Sequence, residues 1–165
     1  MAEIEWKGII WRAAYGNLSV KELLTILKGF GPMETLEFER PGHFKGEVSL
    51  SLSQDGTKEI TLYHLEVIGP KRKGKGREAL QYLKKIFKGE LYVEDPGGLA
   101  DPRFIRVKNA SRESVLFWVK MFREGLIDAM ESDMCSLSPG MSEDEITGIE
   151  VELNAADVKR DASSA

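Results

Sequence analysis

Apolar and polar positions follow two rhythms along this chain, and each change of rhythm marks an element. "GIIWRAAYG" (8–16) reads as a short first strand, apolar on both faces. Over "SVKELLTILKGFG" (19–31) the rhythm is helical: Leu23, Leu24, Ile26 and Leu27 form one stripe, Ser19 offers a cap and Gly29 a stop. Three strand-like runs follow, "METLEFE" (33–39), "FKGEVSLSLS" (44–53) and "KEITLYHLEVI" (58–68). "RPGH" and "QDG" separate them, and both suit the turns of antiparallel hairpins. The third run carries large apolar residues at odd and even positions, the pattern of a central strand covered on both sides.

Ala79, Leu80, Leu83, Ile86 and Phe87 then recur at helical spacing up to Gly89. "ELYVED" (90–95) reads as the next strand, "PGGLADP" breaks the chain, and "SRESVLFWVKMFREG" (111–125) is a helix apolar almost all round. Strand, helix, strand, helix is the order of a right-handed parallel crossover. From Glu124 onward the character changes, with 11 acids against two bases, Lys159 and Arg160. There "SLSPGMSEDE" reads as a loop, "ITGIEVEL" (146–153) as a final strand, and 154–165 as a flexible tail. One α/β domain over 1–153 is expected.

Composition narrows the function. The 165 residues, 42% apolar and 30% charged, suit a globular protein with one core. A net charge of −4 argues against a non-specific nucleic-acid binder. The single cysteine, Cys135, excludes an intramolecular disulfide, and two histidines, His43 and His64, argue against a histidine-built metal centre. The first residues lack the basic start and apolar core of a signal peptide, and no apolar run is long enough for a bilayer. A cytoplasmic protein without a membrane partner is the expectation.

On this acidic chain "KRKGKGR" (71–77) places five positive charges in seven residues. A nucleic acid backbone, a membrane surface and a phosphate-bearing cofactor would all attract it. Position favours the third, because the stretch joins a strand ending near Ile68 to a helix starting near Gly76. Glycines admit a ligand to the backbone, the first helical amides offer hydrogen bonds, and Lys/Arg offer charge. A pyrophosphate suits that combination. A Walker loop is excluded, since Gly76 is followed by Arg77 and Glu78, and the dinucleotide fingerprint lacks its third glycine.

The stretch resembles the loop of the GNAT superfamily of acyl-CoA-dependent N-acyltransferases, in which Arg or Gln, two residues, Gly, one residue, and Gly or Ala stand between a strand and a helix. Lys71 takes the Arg/Gln place, with Gly74 and Gly76 following. "NASRESVLFWVKMFREGLID" is similar to the family's later helix, with Asn109, Ser114, Phe117 and "GLI" at 125–127 on its frame. Trp118 stands where a tyrosine often protonates the departing thiolate, and the gap to Gly125 is longer than usual.

The resemblance implies a mixed sheet in the order β-α-β-β-β-α-β-α-β and direct transfer of an acetyl or other acyl group. Acetyl-CoA is the implied co-substrate and an amine, on a small molecule or a protein, the acceptor. No metal, nucleic acid or membrane is implied, and a homodimer is compatible. The pyrophosphate would lie on Lys71, Arg72, Lys73, Gly74, Lys75, Gly76 and Arg77, with Asn109 also on the cofactor. The pantetheine arm would lie between the strands at 58–68 and 90–95, bonded to backbone near Leu65 and Val67.

Glu66 is the candidate base, an acid embedded among Leu62, Leu65, Val67 and Ile68 whose pKa burial would raise; an edge-facing or salt-bridged glutamate is the alternative. His64 shares its face and reads as a hydrogen-bonded core residue. Tyr92 and Tyr63 are candidates to protonate the thiolate. Trp118 and Met121 read as core, and acidic neighbours would raise the Cys135 thiol and disfavour an acyl-cysteine route. A non-catalytic CoA-binding protein on the same fold and a basic-loop RNA-binding module are the rival classes.

Overall fold

The computed structural model describes residues 2–69, 74–88 and 103–163. Among them are eight strands and four α-helices, so the α/β class is observed. The chain forms two compact units, Met1–Arg106 and Val107–Ala165.

In the first unit β2 (Ile9–Ala13) falls within the expected first strand, and β1 (Glu3–Trp6), which the sequence reading did not mark, makes a hairpin with it. Its two-residue loop, Lys7 and Gly8, has both φ angles positive (55° and 78°), the turn whose twist matches paired strands. α1 (Val20–Gly29) begins at Ser19 with a capping box: the Ser19 hydroxyl accepts from Glu22 N–H, and the Glu22 carboxylate accepts from Ser19 N–H. Its end differs from the expected stop: Gly29 is still helical, and Phe30 takes the left-handed cap at φ 60°.

β3 (Glu34–Arg40), β4 (Phe44–Leu52) and β5 (Lys58–Val67) form the expected antiparallel meander, and β2 pairs with β3. The β3–β4 turn is Arg40–Pro41–Gly42–His43, closed by His43 N–H to the Arg40 carbonyl at 2.9 Å, with Gly42 at φ 80°. α2 (Lys75–Lys88) follows β5, and β6 (Arg103–Val107) is the next strand of the sheet.

One face of the sheet is the core. Trp11, Phe38, Phe44, Leu50 and Leu62 are almost fully covered, as are Leu23, Ile26 and Leu27 of α1 and Leu80 and Phe87 of α2. Phe87 meets Trp11 at 5.7 Å and Phe30 at 5.9 Å between ring centroids, so both helices lie over this face. Truncating such a ring typically costs about 3–5 kcal/mol.

β5 is buried on both sides only in its first half, where Ile60 and Leu62 are covered on one face and Thr61, paired with the buried Ser49, on the other. Its register against β4 shifts between Glu47 and Val48: Val48 pairs with Leu62, but Glu47 pairs with His64. Tyr63 is the extra residue of a bulge, which swaps the parity of all that follows. Ile60 and Leu62 before it, and Leu65 and Val67 after it, therefore share the core face, while His64 and Glu66 point outward.

In the second unit a 3-10 turn (Arg112–Ser114) leads into α3 (Val115–Arg123), followed by the hairpin of β7 (Ala129–Glu131) and β8 (Ser136–Leu137). The expected final strand over 146–153 is instead part of α4 (Glu143–Ser163), which also takes in most of the expected tail. Ser142 starts it, accepting from Glu145 N–H at 3.2 Å, and Glu143, Asp144 and Glu145 favour the helix dipole. Arg123 of α3 holds α4 through Glu143, Glu150 and, at 3.1 Å, the Thr147 hydroxyl. Ile146 and Leu153 are buried while Val151 is 61% exposed, a helical and not an alternating pattern. The expected strand at 90–95, and with it the crossover, lies outside the described residues.

Candidate functional site

β5 ends in a tight junction. Ile68 N–H donates to the His43 carbonyl at 3.0 Å, and Gly69 turns the chain at φ 90°. Lys71, Arg72 and Lys73 lie outside the described residues. The chain resumes at Gly74, whose φ of 93° suits glycine and whose carbonyl accepts the first helical bond, from Glu78 N–H at 3.0 Å. The amides of Lys75, Gly76 and Arg77 precede that bond, so they belong to the first turn, which has no acceptors within its own helix.

Facing the start of α2 is the Arg40–His43 turn. Arg40, His43, Phe44, Lys75, Glu78 and Ala79 line a small cavity of about 30 Å³. The Arg40 guanidinium stacks on the Tyr82 ring at 4.4 Å from its centroid, and Tyr82 donates its hydroxyl to the Lys7 carbonyl at 2.7 Å. Sequence reading took "RPGH" for turn chemistry only. Its signal was there, since a closed four-residue turn puts an arginine and a histidine side by side at its two ends.

The outward face of the sheet is charged. Register aligns Glu3, Arg12, Glu37, Glu47 and His64 in one row across five strands, and Glu39, Lys45 and Glu66 in the next. Arg12 binds Glu37 at 2.9 Å, Glu3 at 3.3 Å and Glu39 at 3.4 Å, and the hydrogen bond to Glu37 leads the causes that raise its pKa. Between these rows runs an open groove of about 310 Å³.

Glu66 lies in that groove, 3.8 Å from the Lys45 ammonium and 3.7 Å from His64 Nε2. Its side chain is 53% exposed, so it is not embedded as expected, and His64 at 59% is not a core residue. The bulge at Tyr63 is the reason, because it turns both residues to solvent. Leu65 and Val67 alternate with them on the other face and are half-buried. Tyr92, the other catalytic candidate, lies outside the described residues.

In the second unit Asn109 is exposed with φ 57°, a conformation asparagine tolerates. Trp118 is 6% exposed, against Phe117 at 4.9 Å between centroids, and Met121 is buried. The Cys135 thiol is pushed up by burial, against a smaller lowering by its hydrogen bond to Ser132, so desolvation and not acidic neighbours leads. Among the described residues no group of three His, Cys, Asp or Glu is placed to hold a metal. Nor is any of their helices long and apolar enough to cross a membrane. Comparison of the chain with protein-family models, curated proteins and solved structures finds no match.

Proposed function

We propose that this protein is a GNAT-type acyltransferase that moves an acetyl group from acetyl-CoA to an amine. The observation that carries this reading is the β5–α2 junction. A bulged strand of the sheet passes through two glycines at positive φ, Gly69 and Gly74, to a helix N-terminus flanked by the basic run. Amides, glycines and cations there suit a pyrophosphate.

With the pyrophosphate on residues 71–77, the pantetheine arm runs back along β5 beside the backbone of Leu65 and Val67. The acceptor amine attacks the thioester carbon, and a backbone amide such as that of Val67 polarises the carbonyl oxygen. The amine loses its proton to Glu66, directly or through water, and the carbon–sulfur bond breaks. The CoA thiolate leaves and takes up a proton, for which Tyr92 is the candidate donor. The groove beside Glu66, with Glu37, Glu39 and Glu47 on its walls, favours a cationic amine as acceptor.

Trp118 supports a second reading, a CoA-binding protein without catalysis. It stands in the place of the usual tyrosine, it is buried, and an indole cannot supply the thiolate with its proton. Calorimetry with acetyl-CoA on the wild type and on Gly74→Glu tests the shared premise. Binding that the added carboxylate abolishes is the expected result; unchanged affinity in a folded variant overturns it. Thiol release across an amine panel then separates enzyme from binder.

A further inference from the structure

We propose that Arg40 and His43 of the β3–β4 turn form a site for one phosphate monoester that adjoins the basic loop at Lys75 of α2 and recognises the ribose 3′-phosphate of the cofactor. The assignment to CoA rests on the acyltransferase reading; the anion site itself does not.

Three nitrogen-bearing side chains from two elements meet at one small cavity. Among the described residues none of them has a carboxylate partner, whereas Arg12, on the other face of the same sheet, has three. Arg40 is held by its face against Tyr82 and by no acid, which leaves the in-plane N–H edge of the guanidinium for an oxyanion. Tyr82 is fixed in turn by its bond to Lys7, so the guanidinium has a rigid backing. His43 is exposed at the other end of a turn that the Gly42 φ of 80° and one backbone bond define. Among the described residues Glu78 is the only acid on the lining, and it is exposed.

Size and position select the ligand. A small cavity with three cationic or nitrogen-bearing side chains on its lining suits a single phosphoryl group. The turn is bonded to the chain just before the basic loop, through Ile68 N–H and the His43 carbonyl. A ligand with its diphosphate on that loop presents one more phosphoryl group nearby, the monoester on its ribose.

The test compares CoA with 3′-dephospho-CoA by calorimetry on the wild type, Arg40→Met, His43→Asn and Glu78→Gln. Arg40→Met keeps an apolar chain on Tyr82, and His43→Asn alters an exposed residue, so both should fold. The wild type should prefer CoA by roughly tenfold or more, as for a charge-assisted contact. Arg40→Met should remove most of that preference and His43→Asn part of it, with dephospho-CoA affinity unchanged, while Glu78→Gln should enlarge it. Equal wild-type affinity for both ligands, or equal loss of both in Arg40→Met, overturns the proposal. If neither ligand binds the wild type, the acyltransferase reading fails and inorganic phosphate decides the site. Amide shifts at Gly42, His43 and Lys75 that vanish in Arg40→Met uphold it, and unmoved wild-type amides overturn it.

Discussion

The Tyr82 hydroxyl reaches across 75 positions of chain to the Lys7 carbonyl, at 2.7 Å. A Cβ on the neighbouring Gly8 would overlap that hydroxyl, so any side chain there forces the β1–β2 turn or Tyr82 of α2 to shift. Tyr82→Phe keeps the stack on Arg40 and the ring contact with Phe44, and should cost about 0.5–1.5 kcal/mol in urea unfolding. Gly8→Ala should cost more, because it adds left-handed strain of about 1–2 kcal/mol to the same clash. In the Tyr82→Phe background that cost should shrink, and a double-mutant cycle reads the coupling.

Gly46 faces the core opposite Leu65, and a Cβ there would overlap the His64 carbonyl oxygen and the Phe38 ring. Gly46→Ala should therefore cost about 1–3 kcal/mol or more, as overpacking beside rigid backbone does. Gly42→Ala is the control, since nothing lies within 4 Å and only its φ of 80° resists the change. Denaturation midpoints should fall further for Gly46→Ala; the reverse order would contradict this packing.

Asp55 closes the β4–β5 turn by accepting from the Ser53 hydroxyl and, at 2.9 Å, from Thr57 N–H. The bond from Ser53, ahead of that from Thr57, lowers its pKa from 3.8 to about 2. A depressed carboxylate adds stability that is present above its unfolded pKa and lost as pH falls through the folded one. The contribution should thus be complete at neutral pH and decline from about pH 4 to about pH 2. NMR titration should place the Asp55 midpoint near 2, and Asp55→Ala should cease to destabilise relative to wild type at lower pH.

Glu66→Gln should leave CoA affinity unchanged, because the side chain is remote in role from the pyrophosphate. Acyl transfer should drop by about 10² to 10⁴, the usual loss for a general base. Higher pH should restore part of the rate, as more of the acceptor amine is already neutral. Full activity in Glu66→Gln would move proton removal to another group. A wild type inactive on every amine would favour the binding protein.

The meander was legible because its turns are chemically explicit: Pro41–Gly42 and Asp55–Gly56 each sit where the chain reverses. α1 was legible for the same reason, in Ser19 and Glu22. β5 was read correctly as two-sided over 60–62 and misread beyond, because one inserted residue, Tyr63, shifts Leu65 and Val67 to the other parity and makes a one-sided half look two-sided. That error also set His64 in the core and favoured an embedded Glu66 as much as a salt-bridged one, since a bulge depends on the partner strand. Residues 146–153 misled differently, because Ile149, Val151 and Leu153 alternate like a strand. The Ser142–Glu145 cap just before them was the better signal, and Arg123, 20 positions from Glu143, secures the helix by contacts that no local pattern contains. Of the candidate site, the glycine loop was visible as a motif, whereas Arg40 and His43 join it only through tertiary structure.

β1 ends the order of strands in the first unit, so among the described residues one side of its backbone has no neighbouring strand. It is four residues long, and its outward positions are Glu3 and Glu5. A second copy adding itself antiparallel at that edge would bring these carboxylates against their own counterparts, and like charges on facing strands repel. The edge therefore discourages sheet extension from molecule to molecule. These charges bias self-association away from this strand, and removing them with Glu3→Val and Glu5→Val would open a route to aggregation.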